Sequence, residues 1–176
     1  VLLVLALMSG GCAPPAPDTE PTTPSSVSFT QTAADLMSTR VVVQLPEGQE
    51  ASAARVVEIF REVEALANEW RPSSPVGRIN AAAGGTSVRV PVELADLVVR
   101  GVELGEQTNG AFDITWAALW GLWDFQAPVP ERPNPAEVAA RLSLIDYRAV
   151  GIEADSISLS RTGMVMGLGG IAKGHA

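Results

Sequence analysis

Basic side chains other than arginine are almost missing from this 176-residue chain, which holds one lysine, Lys173, and one histidine, His175. Cysteine also occurs once, at Cys12, which excludes a disulfide framework and any zinc cluster built on cysteines. Twelve Lys and Arg stand against twenty Asp and Glu, for a net charge of −8. A surface of that sign repels polyphosphate backbones, so general nucleic-acid binding is disfavoured. Charged residues make up only 18%, hydrophobic ones 47%, and mean hydropathy is +0.20. That balance excludes a disordered tail and leaves ample apolar material for a core. The opening apolar run, Val1 to Met8, reaches only ~12 Å as a helix against the ~30 Å of a bilayer core, so these residues are not expected to form a spanning segment.

That run is followed by the small residues Ser9, Gly10 and Gly11 and then by Cys12, the pattern of an export signal. A cysteine at this junction resembles the lipidated cysteine of bacterial lipoproteins. Ser9 stands where such signals usually carry leucine, and no basic residue precedes the run. The plainer alternative is an ordinary cleaved signal with an accidental cysteine. Prolines and small polar residues then dominate 13–28, an extended tether that buries nothing. The expected plan is an export signal over 1–12 ending in Cys12, a tether over 13–28, and a folded part over 29–176. The expected location is outside the cytoplasmic membrane or in the periplasm, held to the membrane by a lipid on Cys12.

Within the folded part, Arg40 to Leu45 is rich in β-branched residues and stops at Pro46-Glu47-Gly48, which predicts a strand and a turn. Val56, Ile59, Phe60, Val63, Leu66 and Ala67 follow helical spacing, with Glu58, Arg61, Glu62 and Glu64 on the polar side. Trp70 to Gly85 reads mostly as loop with a helical turn near Arg78, and Ser87 to Val90 as a short strand. A second helix is predicted over Val92 to Gln107, where Gly101 and Gly105 each cost roughly 1 kcal/mol relative to alanine. Their presence predicts a very close neighbour on that face. Asn109-Gly110 supplies a left-handed stop. Trp116, Leu119, Trp120 and Trp123 form one aromatic stripe if their segment is helical. Asn134-Pro135-Ala136-Glu137 starts a third helix with an N-cap and a proline at the first position. Strands are then predicted over Arg148 to Ile152, Ser156 to Ser160 and Met164 to Leu168, with a helix opening from Ile171. The fold class expected is α+β, with mixed helices and mostly antiparallel strands. Because that last turn has nothing after it to hold it, the sequence is expected to be the N-terminal part of a larger domain.

Chemistry concentrates in three segments. Met166 to Ala176 (MGLGGIAKGHA) places glycines between a strand and a helix start, where backbone N–H groups and the Lys173 ammonium suit an anion such as a phosphate. A tight turn with a surface lysine is the bland alternative. It is not a Walker A loop, since no Ser or Thr follows the lysine. Thr108 to Thr115 (TNGAFDIT) presents Asp113 either to a ligand or as a helix cap. Trp70 to Asn80 offers one aromatic and two guanidiniums, Arg71 and Arg78, although a lone Trp is more often core than platform.

Taken in order, Met37-Ser-Thr-Arg40, the Trp70 to Asn80 loop, Gly110-Ala-Phe-Asp-Ile-Thr115 and Gly169-Gly-Ile-Ala-Lys-Gly-His-Ala176 resemble the FAD:protein FMN transferases of the ApbE type, from about Phe29 to the last residue. The resemblance implies a T-fold-like α+β enzyme, dependent on Mg²⁺. Such an enzyme splits FAD, moves FMN onto a Thr or Ser hydroxyl of an acceptor flavoprotein subunit, and releases AMP. It further implies that Met37, Trp70, Ala111, Phe112, Asp113 and Lys173 contact the flavin nucleotide, and that the Gly170 carbonyl binds the metal. Mg²⁺ takes hard oxygen ligands, so the lack of His and Cys clusters is no obstacle. Three departures stand out. Gly167 occupies the place of a usual aspartate, Ser38 that of a usual glycine, and His175 that of an aromatic, so His175 is not nominated as a base. No position matches the family's C-terminal metal-binding and catalytic groups, which leaves the catalytic residues unknown. A non-catalytic flavin- or solute-binding lipoprotein and a pyrophosphatase giving FMN and AMP are the alternatives.

Overall fold

A computed structural model describes residues 27–176. Cys12 and all but the end of the 13–28 tether lie outside the described residues. Strands β1 (Phe29–Leu36) and β2 (Thr39–Pro46) form an antiparallel hairpin in register from Phe29 opposite Pro46 to Leu36 opposite Thr39. The Arg40 to Leu45 strand is thus found, and its partner β1 was missed. Met37 and Ser38 make the two-residue turn with φ of 50° and 55°. Positive φ at both positions matches the twist of a tight hairpin.

Helix α1 (Glu50–Ala67) packs on the hairpin through one face, burying Ala53, Val57, Val63 and Ala67. Helix α2 (Pro75–Ala81) is longer than the single turn expected near Arg78. The Ser74 hydroxyl caps it by accepting from the Gly77 amide at 2.9 Å, and Pro75 sits at the first helical position. Strand β3 (Val88–Arg89) leads into α3 (Val92–Gln107), which ends as anticipated with left-handed Asn109 and Gly110. Helix α4 (Pro135–Leu142) starts at the Asn134 cap, whose side chain accepts from the Ala136 amide. Strands β4 (Val150–Glu153) and β5 (Ser156–Leu159) join β3 in a second antiparallel sheet of order β3-β5-β4. Helix α5 (Gly169–His175) closes the described chain. The α+β class is as expected, with all ladders antiparallel among the described residues.

The core lies where α1, α2 and α3 meet the β3-β5-β4 sheet. Val76, Ile79, Leu94, Val98, Ile114, Ile157, Leu159, Met164, Met166 and Leu168 are at most 1% exposed. The close neighbours required by the α3 glycines are present. A β-carbon on Gly101 would come within 2.6 Å of Ile114, and one on Gly105 within 2.7 Å of the Tyr147 ring.

One condition set by the sequence is not met, and one expectation is corrected. The Trp116 to Trp123 segment is no α-helix; it makes a single 3-10 turn over Ala117–Leu119, buries the alanines Ala117 and Ala118, and leaves its three tryptophans 39–47% exposed. Met164 to Leu168 is extended but is not a strand. Its backbone neighbour is the 114–116 stretch, through a bridge between Val165 and Trp116 and the Gly167 amide donating to the Ile114 carbonyl, while Met166 pairs with a side chain. Asn80 donates to the Met166 carbonyl at 2.9 Å and accepts from the Met166 amide at 2.7 Å, replacing a strand partner with an amide side chain.

Candidate functional site

Three stretches far apart in sequence meet in one open cleft: the β1–β2 turn, the end of α1 with the residues after it, and the first turns of α5. Its walls carry Met37, Ser38, Glu64, Glu69, Trp70 and Lys173, with Gly169 at the helix start. Each is held by local chemistry. The turn that projects Met37 is tied to α1 because the Met37 amide donates to the Glu64 carboxylate at 3.0 Å. Trp70 follows the α1 end, where the Asn68 side chain accepts from the Trp70 and Arg71 amides at 3.0 and 3.1 Å. That Asx-type turn reverses the chain and leaves the Trp70 ring 52% exposed. Gly77 allows the Arg71–Pro72 backbone to close over α2, since a β-carbon there would fall on the Arg71 carbonyl.

Lys173 stands exposed on α5, one helical turn after Gly169. The cleft is acidic apart from this ammonium. Glu69 is half-buried, and its carboxyl is held above the ordinary range chiefly by lost hydration; its own backbone N–H and the Lys173 charge pull the other way without cancelling that effect.

The predicted site residues divide into two groups. Met37, Trp70 and Lys173 line the cleft. Phe112 lies behind it, its ring edge against Gly170, where a β-carbon would come within 3.1 Å. Ala111 is exposed beside Phe112. Asp113 serves as a clasp: one carboxylate oxygen accepts from the Thr115 amide and hydroxyl at 2.7 and 2.6 Å, the other from the Tyr147 amide at 2.9 Å. The buried Thr115 hydroxyl in turn accepts from the Asp146 amide. This network fixes the Phe112 turn against the segment before β4, a role close to the cap weighed from the sequence.

At Gly167, the amide donates to the Ile114 carbonyl at 2.8 Å, and its own carbonyl accepts from the Trp116 indole N–H at 3.2 Å. A β-carbon there would meet Ala117 at 3.0 Å and the Trp116 ring at 3.1 Å, so the tryptophan fills the space a side chain would need.

Glu64 and Glu69 were not singled out from the sequence. Glu64 was placed on the polar side of α1, yet it is half-buried by the hairpin. Its signal was position, directly beside buried Val63 and one turn before Asn68. No group of three His, Cys, Asp or Glu that could hold a metal occurs among the described residues. Six oxygens are needed around Mg²⁺, so the described side chains do not by themselves make its site.

The profile of the ApbE family matches residues 27–176. A FAD:protein FMN transferase of Klebsiella pneumoniae (strain 342) is 30% identical over 142 residues, covering 80% of this chain and 45% of that protein. One from Treponema pallidum (strain Nichols) is 28% identical over 131 residues, covering 70% and 36%. The chain therefore spans less than half the length of these relatives. Among solved structures, the flavin transferase ApbE from Vibrio cholerae superposes with a TM-score of 0.74 at 22% identity, over 84% of this chain and 50% of that one. The ApbE protein of Thermotoga maritima gives the same score and coverage at 23% identity, and both likenesses establish the fold. On the family match over all the described residues, the chain belongs to the ApbE family.

Proposed function

We propose that the protein carrying this chain is a Mg²⁺-dependent FAD:protein FMN transferase, in which residues 29–176 provide much of the nucleotide cleft. The reading rests on one observation above all: Met37, Trp70, Gly169 and Lys173, from separate segments, converge on a single cleft. In the proposed reaction an acceptor Thr or Ser oxygen bonds to the FMN phosphorus and gives up its proton to solvent, the bond from that phosphorus to the bridging oxygen breaks, and AMP leaves. Phosphoryl transfer of this kind needs positioning and charge neutralisation more than covalent help. Lys173 supplies a point charge for the diphosphate, Trp70 an aromatic face for a planar ring, and Met37 an adaptable apolar contact. Ala111, Phe112 and Asp113 hold the wall behind α5, and the Phe112 edge sets how closely a ligand approaches Gly170. Mg²⁺ would neutralise diphosphate charge when bound. The Gly170 carbonyl is its proposed ligand on this chain, and no step is drawn through the ion.

Incubating the whole protein with FAD, Mg²⁺ and an acceptor flavoprotein domain tests the reading. Covalent yellow label on the acceptor is expected. Free FMN without label would indicate hydrolysis, and bound but intact FAD would indicate a carrier. The family names of the relatives favour transfer over both. For location, the reading is an exported protein anchored through a lipid on Cys12. Mass spectrometry of the protein from membranes should find the lipid, and it should vanish in Cys12→Ser. An unmodified Cys12 in the mature protein removes the anchor.

A further inference from the structure

Two half-exposed indoles meet edge to face at the rim of the cleft. Trp70, from the turn after α1, and Trp120, from the end of the 3-10 turn, have planes 64° apart and exposures of 52% and 47%. Trp116 continues the row, its ring centre 6.2 Å from that of Trp120 and tilted by 45°. Its indole N–H donates to the Gly167 carbonyl, just before the glycines that open α5. The row of rings thus runs from the Trp70 wall of the cleft back to the glycine turn.

The short segment that carries it is pinned from both sides. Ala117 and Ala118 are buried, and Arg141 of α4 donates to the Ala118 carbonyl at 2.9 Å. Gly121 follows with φ +75°, turning the chain away directly after Trp120. Trp120 is therefore carried on a pinned backbone, while Trp70 sits in a turn and is half exposed. An unsupported exposed indole samples several rotamers, and a ligand that stacks on it must freeze them at its own expense.

Resting on the flavin reading above, we infer that Trp120 is a positioning residue for the flavin ring: it packs against the Trp70 indole and limits its rotamers, so that Trp70 is held ready for stacking. The adenine-diphosphate half of the nucleotide gains nothing from this contact. The isoalloxazine ring, which stacks on Trp70 in this reading, gains the rotamer freedom that Trp70 no longer loses.

The test uses the whole protein, titrated separately with FAD, FMN and ADP and followed by tryptophan quenching and by calorimetry. Trp120→Ala should weaken FMN and FAD binding by about three- to tenfold, the scale of one aromatic contact, and leave ADP affinity within about twofold. Trp120→Phe should restore most of the flavin affinity. The visible circular dichroism of bound flavin should change in Trp120→Ala and return in Trp120→Phe. Should Trp120→Ala fail to fold, Trp120→Leu carries the same comparison, keeping apolar bulk without a ring. Unchanged FMN affinity in a folded variant overturns the inference, as does an equal loss for FMN and ADP that phenylalanine does not rescue. If the wild-type protein binds ADP but neither FAD nor FMN, the flavin reading itself falls and this role falls with it.

Discussion

Glu69 is a carboxylate drawn half out of water beside the only ammonium of the cleft. Burial is the largest cause of its raised pKa, and Lys173 only partly offsets it. A carboxyl with a folded pKa above the ordinary 4.5 favours folding while protonated, and that contribution is lost as pH rises through the folded value. Glu69→Gln stays neutral throughout. Its melting temperature relative to wild type should therefore climb as pH is raised from about 4 to about 7. A difference that stays flat over this range would show that the carboxyl is not perturbed. Above the folded pKa of Glu69, the same change takes a negative charge out of the proposed nucleotide cleft. ADP should then bind about threefold tighter at neutral pH, the scale of one charge contact in a solvent-open site. Glu69 could not be read this way from sequence, because nothing in Asn68-Glu69-Trp70 says that the turn folds the carboxylate inward.

Elements were legible in proportion to how far their own residues decide them. The α3 helix could be drawn from its apolar spacing, and its two glycines announced a close neighbour. The neighbour of Gly105 is Tyr147, which is 2% exposed and comes from the other side of α4. Only the tertiary fold makes that pairing. Gly105→Ala gains up to ~1 kcal/mol of helix propensity, yet its methyl enters a planar ring with no room to yield, a clash worth about 1–3 kcal/mol. The net expectation is a loss of about 1–2 kcal/mol in urea unfolding, with the slope unchanged. A gain in stability would mean that Tyr147 moves aside freely. Where the sequence misled, a local pattern had two physical causes. Met164, Met166 and Leu168 alternate inward as a strand does, but Asn80 supplies the hydrogen bonds that a neighbouring strand would. Trp116 and Trp120 keep helical spacing across a single 3-10 turn, and their rings face each other and the cleft rim instead of the core. The hairpin partner β1 was missed because its alternation is mild and its polar residues, Gln31, Thr32 and Asp35, hide it.

At the scale of the whole molecule, the cleft exists only if the hairpin stays docked on the helical body. The β1–β2 sheet shares no ladder with the β3-β5-β4 sheet, and a two-stranded hairpin has little stability alone. It is held by the packing of one face on α1 and by the bond from the Met37 amide to Glu64. That bond acts at the turn, where Met37 and Ser38 are already in left-handed conformations that cost non-glycine residues roughly 1–2 kcal/mol each. Removing it should release the hairpin locally before it unfolds the core. For Glu64→Ala, amide exchange over 29–46 should accelerate by about tenfold, the cost of one charge-assisted hydrogen bond, while α3 exchange stays at the wild-type rate. Nucleotide affinity should fall with it, since Met37 is one wall of the cleft. Glu64→Gln keeps an oxygen acceptor for the amide and should retain most of the protection, which separates the hydrogen bond from the charge. Equal acceleration in the hairpin and in α3 would mean that the two sheets unfold as one unit. The turn would then be held by the core at large and not by this contact.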